Sequence, residues 1–176
     1  MEAPDSLHTE RLILRRATAA DAHAVFRYAS DPEVTRHLPI APRESLDQVD
    51  EFLAEVERAW EAGTGFAFAI MRRSDAETIG VIDFTGSHTG VSFGFALERA
   101  AWGHGYATEA TRAVIDWAFD DDSVFRIWTT VGVDNIASRR VLEKVGMRNE
   151  GLLHRWLPTP TIGPTPSDAY MYAIWR

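Results

Sequence analysis

The sequence contains no cysteine, which excludes a disulfide framework, a thiolate metal site and a cysteine nucleophile together. Its six histidines, His8, His23, His37, His88, His104 and His154, are scattered, with no H-E-x-x-H pair. No metal site is expected. No uninterrupted apolar run approaches the roughly 18–20 residues that span a bilayer. The opening "MEAPDSLHTE" has neither the basic nor the apolar region of a secretory signal. A cytoplasmic location without a membrane partner is therefore expected. Lysine is almost missing as well: of 18 basic residues only Lys144 is a lysine. Arginine pairs bidentately with phosphate and carboxylate, although genomic nucleotide bias produces the same skew. The formal net charge of −8 counts against a general nucleic-acid binder, whose affinity rests on neutralising phosphates. It suits a cationic or amine-bearing partner and serves solubility equally well.

The 176 residues, 45% hydrophobic and 25% charged, suit one compact domain spanning 1–176. "ERLILRR" alternates Leu12 and Leu14 against Arg11, Ile13 and Arg15 and reads as a first strand. Thr18 and Asp21 resemble a capping box that opens a helix through about Ser30, and Pro32, Pro39 and Pro42 punctuate a loop. "SLDQVDEFLAEVERAW" is the clearest helix, with Ser45 and Gln48 as its capping box and a stripe from Leu46 and Val49 to Trp60. Strands are expected at 66–72, 78–84 and 91–97. In the last, Ser92, Gly94 and Ala96 form a face of small residues, with room for something to lie against it or for close sheet packing.

A helix then carries Ala107, Ala110, Val114, Trp117 and Ala118 and ends near the aspartates at 120–122. A strand at 125–133, a helix at 135–145 stopped by Gly146, and strands at 147–156 and 169–175 complete the chain. "LPTPTIGPTPSD" between the last two is a long, stiff loop, inert at the surface or covering a site. This order implies a mixed sheet with helices on both faces.

"WGHGYATEA" places two glycines, Gly103 and Gly105, directly before a helix. Such a junction is an anion site, because free N–H groups and the helix dipole both favour negative charge. A dinucleotide fingerprint needs a third glycine where Thr108 stands, and a Walker loop needs a G-K-[ST] that is missing. What remains is a pyrophosphate held by successive backbone N–H groups from His104 to Thr108. A tight turn with no ligand gives the same glycines.

"TERLILRR", "DPEV", "WGHGYATEA", "DNIASRRVLEKVGM" and "EGLL", followed by Asp168 and Tyr172, occur in that order along nearly the whole chain. Together they resemble the GNAT superfamily of N-acetyltransferases, in its ribosomal-protein N-terminal (RimJ/RimL-like) branch. The resemblance implies an α/β (α+β) GNAT fold with a mixed, mostly antiparallel sheet of about seven strands. It implies acetyl-CoA as co-substrate, its pyrophosphate at Trp102, Gly103, His104, Gly105, Tyr106, Ala107 and Thr108. Trp102 takes the first position of the Q/R-x-x-G-x-G/A pattern, where Arg or Gln is common. Asn135 and Ser138 match positions at the pantetheine arm and sulfur, and Arg139 and Arg140 are placed for the phosphates. An N-cap explains Asn135 equally, and a solvated helix face explains the arginines.

Acetyl transfer to an amine needs the amine deprotonated, and a positioned base is worth about 10²–10⁴-fold. Without cysteine there is no acetyl-cysteine, which leaves direct attack in a ternary complex. Two positions depart from the family pattern: Leu142 stands where many members carry a tyrosine acid, and Ser92 where relatives often carry a glutamate. Ser138 is then the residue for the leaving thiolate. Asp83, Glu98, His88 and His154 are the substitute bases, and Asp83, which interrupts "VIDF", is taken forward. The acceptor expected is a protein N-terminal α-amine, with a polyamine, amino acid or antibiotic as the rival. Ser92 and Leu142 also allow a non-catalytic acyl-CoA-binding module, and the family allows a homodimer.

Overall fold

The structure, a computed structural model, describes residues 3–87 and 90–176, with the side chain of Ser87 excepted. The expectation placed on His88 lies outside the described residues. Strands β1 (Ser6–His8), β2 (Leu12–Arg16), β3 (Gly65–Arg72), β4 (Thr78–Ser87), β5 (Gly90–Leu97), β6 (Arg126–Gly132), β7 (Arg148–Leu157) and β8 (Ser167–Trp175) form one sheet. Its order is β1-β2-β3-β4-β5-β6-β8-β7. Helices α1 (Ala22–Ala29), α2 (Pro32–Thr35), α3 (Leu46–Glu61), α4 (Tyr106–Asp120) and α5 (Ile136–Lys144) connect the strands.

Alternation in the strands decides which helix lies on which face. In β3, Phe66, Phe68 and Ile70 join the core under α4 with Ala110 and Val114. Ala67 and Ala69 point the other way, into a second core with Val25 of α1 and Val49, Leu53 and Val56 of α3. Trp117 of α4 meets Phe66 and Phe68 edge-on, at 5.8 and 5.4 Å between centroids, a favoured aromatic geometry.

Three details differ from the local reading. The sheet has eight strands where about seven were expected. The extra one, β1, is three residues long and pairs Ser6–His8 with Ile13–Arg15, too short for a period of two to register. The proline-punctuated loop contains α2, opened by Pro32 at its first position with Asp31 accepting from the Glu33 N–H at 2.9 Å. At α3, Gln48 accepts from the N–H of Glu44 rather than that of Ser45.

Asp21 is 2% exposed. Its carboxylate accepts from Arg15 at 2.7 and 2.8 Å, from the Thr18 N–H at 3.0 Å and from Thr78 at 3.2 Å. Burial alone would raise this carboxyl, but the Arg15 guanidinium, Thr18 N–H and Thr78 hydroxyl hold it below the usual range. Its stabilisation is therefore complete above the unfolded pKa and is lost as pH falls through the folded one. Asp21→Asn should cost about 2 kcal/mol, the scale of a charged hydrogen bond. In urea titrations, the gap from the parent protein should narrow as pH drops from 7 to 3. A gap independent of pH would remove the ion pair as its cause.

The parallel junction, the one among the described residues, is also incomplete. β5 and β6 pair only at Val91 opposite Ile127 and Ser92 opposite Trp128. Beyond that point Thr129 Oγ1 donates to the Phe93 carbonyl at 2.7 Å, and the strands run on without pairing. A slot opens through the sheet.

Candidate active site

Helix α4 begins at Gly105, whose φ is +80°, and Gly103 has φ +78°. Side chains other than glycine are strained in that left-handed region. A Cβ at Gly103 would meet nothing within 4 Å, so the backbone there lies open. The first-turn N–H groups of α4 have no intrahelical partner, and the helix dipole places partial positive charge there. A cavity of about 630 Å³ lies against this loop, lined by Trp102, Gly103, Gly105, Tyr106, Ala107 and Thr108 and, across from them, by Asn135, Ser138 and Arg140 of the α5 segment. That is a ligand-sized space.

His104, expected at the same ligand, is not among the residues that line the cavity. Its ring lies flat on Tyr106, 5.6 Å between centroids and 12° between planes, with Nδ1 2.8 Å from the Trp102 carbonyl. The Trp102 indole donates to the Leu97 carbonyl at 2.9 Å. Asn135 does two jobs: its Oδ1 caps α5 by accepting from the Ser138 N–H at 3.1 Å, and the residue still lines the cavity.

The two arginines of α5 part company. Arg140 lines the cavity. Arg139 turns to the sheet, donating to the Val133 carbonyl at 3.2 Å with its guanidinium 4.8 Å from the Tyr170 ring. The structure thus places Arg139 away from both cavities. The helical step of 100° separates neighbouring side chains, so adjacency in sequence does not bring both to one ligand.

A second cavity of about 410 Å³ continues through the slot, and His37, Leu38, Phe95, Ala96, Asn135 and Ser138 line both. Asp83 lies in this second cavity, on the face of small residues foreseen in β5. It is paired with Gly94 across the ladder, and a Cβ on Gly94 would stand 3.3 Å from its Oδ1. No other side chain among the described residues bonds its carboxyl. The Asp83 side chain is exposed to water within the cavity, with protein packed around its base. That protein displaces bulk solvent and pushes the carboxyl up to about 6, opposed by its own backbone N–H.

Other candidates lie elsewhere or pair off. Glu98 pairs with Arg27 at 3.4 Å. His154 is on the exposed strand β7, 2.9 Å from Asp168. Ser92 and Leu142 both line the smaller cavity. Three residues there escaped the sequence reading: Tyr28, His37 and Arg43. Burial and the neighbouring Arg36 lower the His37 pKa against the pull of Asp134 and Glu33. Burial and the Asp83 charge raise the Tyr28 phenol. A tyrosine on the apolar face of α1 looks like core, and "RHLP" carries no spacing pattern, so neither gave a local signal. No residue of the 158–166 loop lines either cavity; the loop is tied to α2, where Thr161 donates to the Thr35 carbonyl at 3.4 Å.

The arrangement can hold an anion at the glycine loop and lead a narrow arm through the slot to a carboxylate. Comparison with known proteins gives the family. Residues 11–148 match the model of the acetyltransferase (GNAT) domain. The chain is 33% identical over 171 residues to the Bacillus subtilis protein named Uncharacterized N-acetyltransferase YoaA, covering 96% of this chain and 95% of that one. Among solved structures, a GNAT-family acetyltransferase from Bacillus anthracis superposes with a TM-score of 0.85 at 27% identity, covering 97% and 98% of the two chains. Mycobacterium smegmatis RimJ in complex with CoA-disulfide superposes with a TM-score of 0.86 at 25% identity, covering 99% and 90%. Family model, relatives and fold converge, and the chain belongs to the GNAT acetyltransferases as an acetyl-CoA-dependent N-acetyltransferase.

Proposed function

We propose that this enzyme, acting as one domain over 1–176, acetylates the α-amine of a protein N-terminus, with Asp83 as general base and Ser138 as hydrogen-bond donor to the departing sulfur. The observation that carries this reading is the Asp83 carboxyl, unpaired among the described residues, in a cavity continuous with the glycine loop. Acetyl-CoA supplies the electrophilic thioester carbonyl. The backbone of 103–108 anchors its pyrophosphate, with Trp102 and Arg140 beside it, and Asn135 and Ser138 border its arm. Asp83 takes a proton from the amine nitrogen as the N–C bond forms and the C–S bond breaks. Ser138 Oγ–H hydrogen-bonds the thiolate, which takes its final proton from solvent because a serine hydroxyl is too weak an acid to surrender its own. A base near 6 matches an α-amine of pKa about 8 better than a lysine of about 10. The 25% identity to RimJ points the same way.

A second reading rests on Arg43. Half-buried in the wall of the cavity that holds Asp83, its guanidinium has no hydrogen bond or ion pair among the described residues and is available to an anion. An amine that also carries an acid group, such as a free amino acid, fits that arrangement.

An acceptor panel distinguishes the readings. N-terminal peptides should exceed free amino acids and polyamines in kcat/KM, and Arg43→Ala should leave the peptides within about threefold, the spread of a lost exposed contact. Preference for free amino acids, with a loss of about tenfold or more in the Arg43 variant, would move the acceptor to the second reading. Tight CoA binding with no transfer to any amine would mark a non-catalytic binding module.

A further inference from the structure

The segment "TER" before β2 has no part in the chemistry above, yet it reaches directly beneath the glycine loop. Arg11 Nη1 donates to the His104 carbonyl at 2.9 Å. Its Nη2 lies 3.5 Å from where a Gly105 Cβ would stand, and its guanidinium is 4.8 Å from the centroid of the Tyr106 ring. The other edge of the guanidinium binds Glu109 of α4, Nε to Oε2 at 2.7 Å and Nη2 to Oε2 at 2.6 Å. Glu109 Oε1 accepts from the Arg11 N–H at 2.8 Å and from Thr9 Oγ1 at 2.6 Å. Arg73 in turn holds the Thr9 carbonyl at 2.9 Å.

We propose that Arg11 is a positioning residue for the acetyl donor, a clamp that aims the Gly105 N–H into the larger cavity and neutralises Glu109 beside the pyrophosphate. The proposal rests on the reading that the pyrophosphate binds at this loop. The first half follows from peptide geometry. The His104 carbonyl and Gly105 N–H belong to one trans peptide and point in opposite directions. Holding the oxygen on Arg11 turns the N–H away from Arg11, toward the side where Gly105 lines the cavity. A loop with two left-handed residues has little intrinsic preference for that arrangement, so an external hold is needed.

The second half is electrostatic. A carboxylate in the first turn favours the helix dipole but would repel a bound anion nearby. Burial would raise Glu109; the bonds from Thr9 and Arg11 hold it below the usual carboxylate range, ionised and matched by one guanidinium. The Arg11 fork serves the carboxylate and the carbonyl at once in a fixed plane, a geometry that donors converging on a lysine's one nitrogen do not reproduce.

The test is equilibrium binding, measured by calorimetry on the full chain with CoA and with pantetheine, which lacks the pyrophosphate and nucleotide. Arg11→Ala should weaken CoA about ten- to hundredfold, the span of one to two charged hydrogen bonds, and leave pantetheine unchanged. Arg11→Lys should fall between; the ligand-free Arg11→Ala midpoint should drop modestly, because Glu109, 17% exposed, loses its guanidinium partner, and the unchanged pantetheine affinity separates that loss from the clamp. Equal losses for CoA and pantetheine, or an Arg11→Ala protein that binds CoA like the parent, would overturn the clamp. A parent protein that binds CoA no better than pantetheine would overturn the pyrophosphate placement, and the clamp with it.

Discussion

Asp83→Asn is expected to lower kcat/KM by about 10²–10⁴-fold, the usual worth of a positioned base, while CoA affinity stays near that of the parent. Asparagine has nearly the same shape and cannot take a proton from the acceptor. The pH profile carries the sharper signature. A carboxyl near 6 works as a base only when ionised, so the parent rate should fall as pH drops through about 6. That limb should vanish from the residual activity of the variant. Stability should move in the opposite direction. A carboxyl raised above its unfolded value binds its proton more tightly in the fold, so ionising it destabilises the native state at neutral pH. Asp83→Asn should therefore melt no lower than the parent at pH 7, the proposed base being held at some cost to the fold. If the variant keeps its rate and its acid limb, the base is His37, which lines both cavities, and His37→Gln should then abolish the limb.

Gly80→Ala is expected to destabilise the protein by about 3 kcal/mol, at the upper end for overpacking. For a chain of this size that lowers the melting midpoint by about 6–12 °C. Gly80 is on β4 beside the end of β5, where a Cβ would stand 2.3 Å from the Ala96 carbonyl oxygen and 2.9 Å from the Leu97 Cα. Both obstacles are backbone and cannot rotate aside, so relief requires β4 and β5 to separate. The same pair of strands sets Asp83 against Gly94 and leads into the slot beside β6. Activity should therefore fall more than the folded fraction does. Gly86 is the control on the same strand: a Cβ there meets nothing within 4 Å. Gly86→Ala should stay within about 0.5 kcal/mol of the parent. Equal behaviour of the two variants would mean that the sheet yields at Gly80 and that this contact does not hold the site together.

The contrast between Gly80 and Gly103 shows how far local sequence reaches. Gly103 and Gly105 announce themselves through their place before an amphipathic stretch, and their positive φ values follow from that junction. Gly80 sits in an apolar run with nothing local to mark it, because the Ala96 carbonyl it accommodates comes from another strand. The same division separates Arg140, which reaches the larger cavity, from Arg139, which the Val133 carbonyl and the Tyr170 ring draw to the sheet. It also separates Asp83, visible as a charge interrupting an apolar strand, from Tyr28, His37 and Arg43, which look like core or loop until α1 and the segment after α2 fold over β4 and β5.

By itself the sequence determined the strand and helix order, the helix start that favours an anion, the capping asparagine three residues before Ser138, and the family to which these motifs belong. Those features depend on periods of two or 3.6 residues and on backbone chemistry within one turn, which neighbouring residues carry among themselves. Only the tertiary structure decided the eighth strand, the early end of β5–β6 pairing, the direction of each arginine, the isolation of Asp83 and the hold of Arg11 on His104. Each of these is set by groups distant in the chain, whose packing settles which side chains pair and which are left to face a cavity.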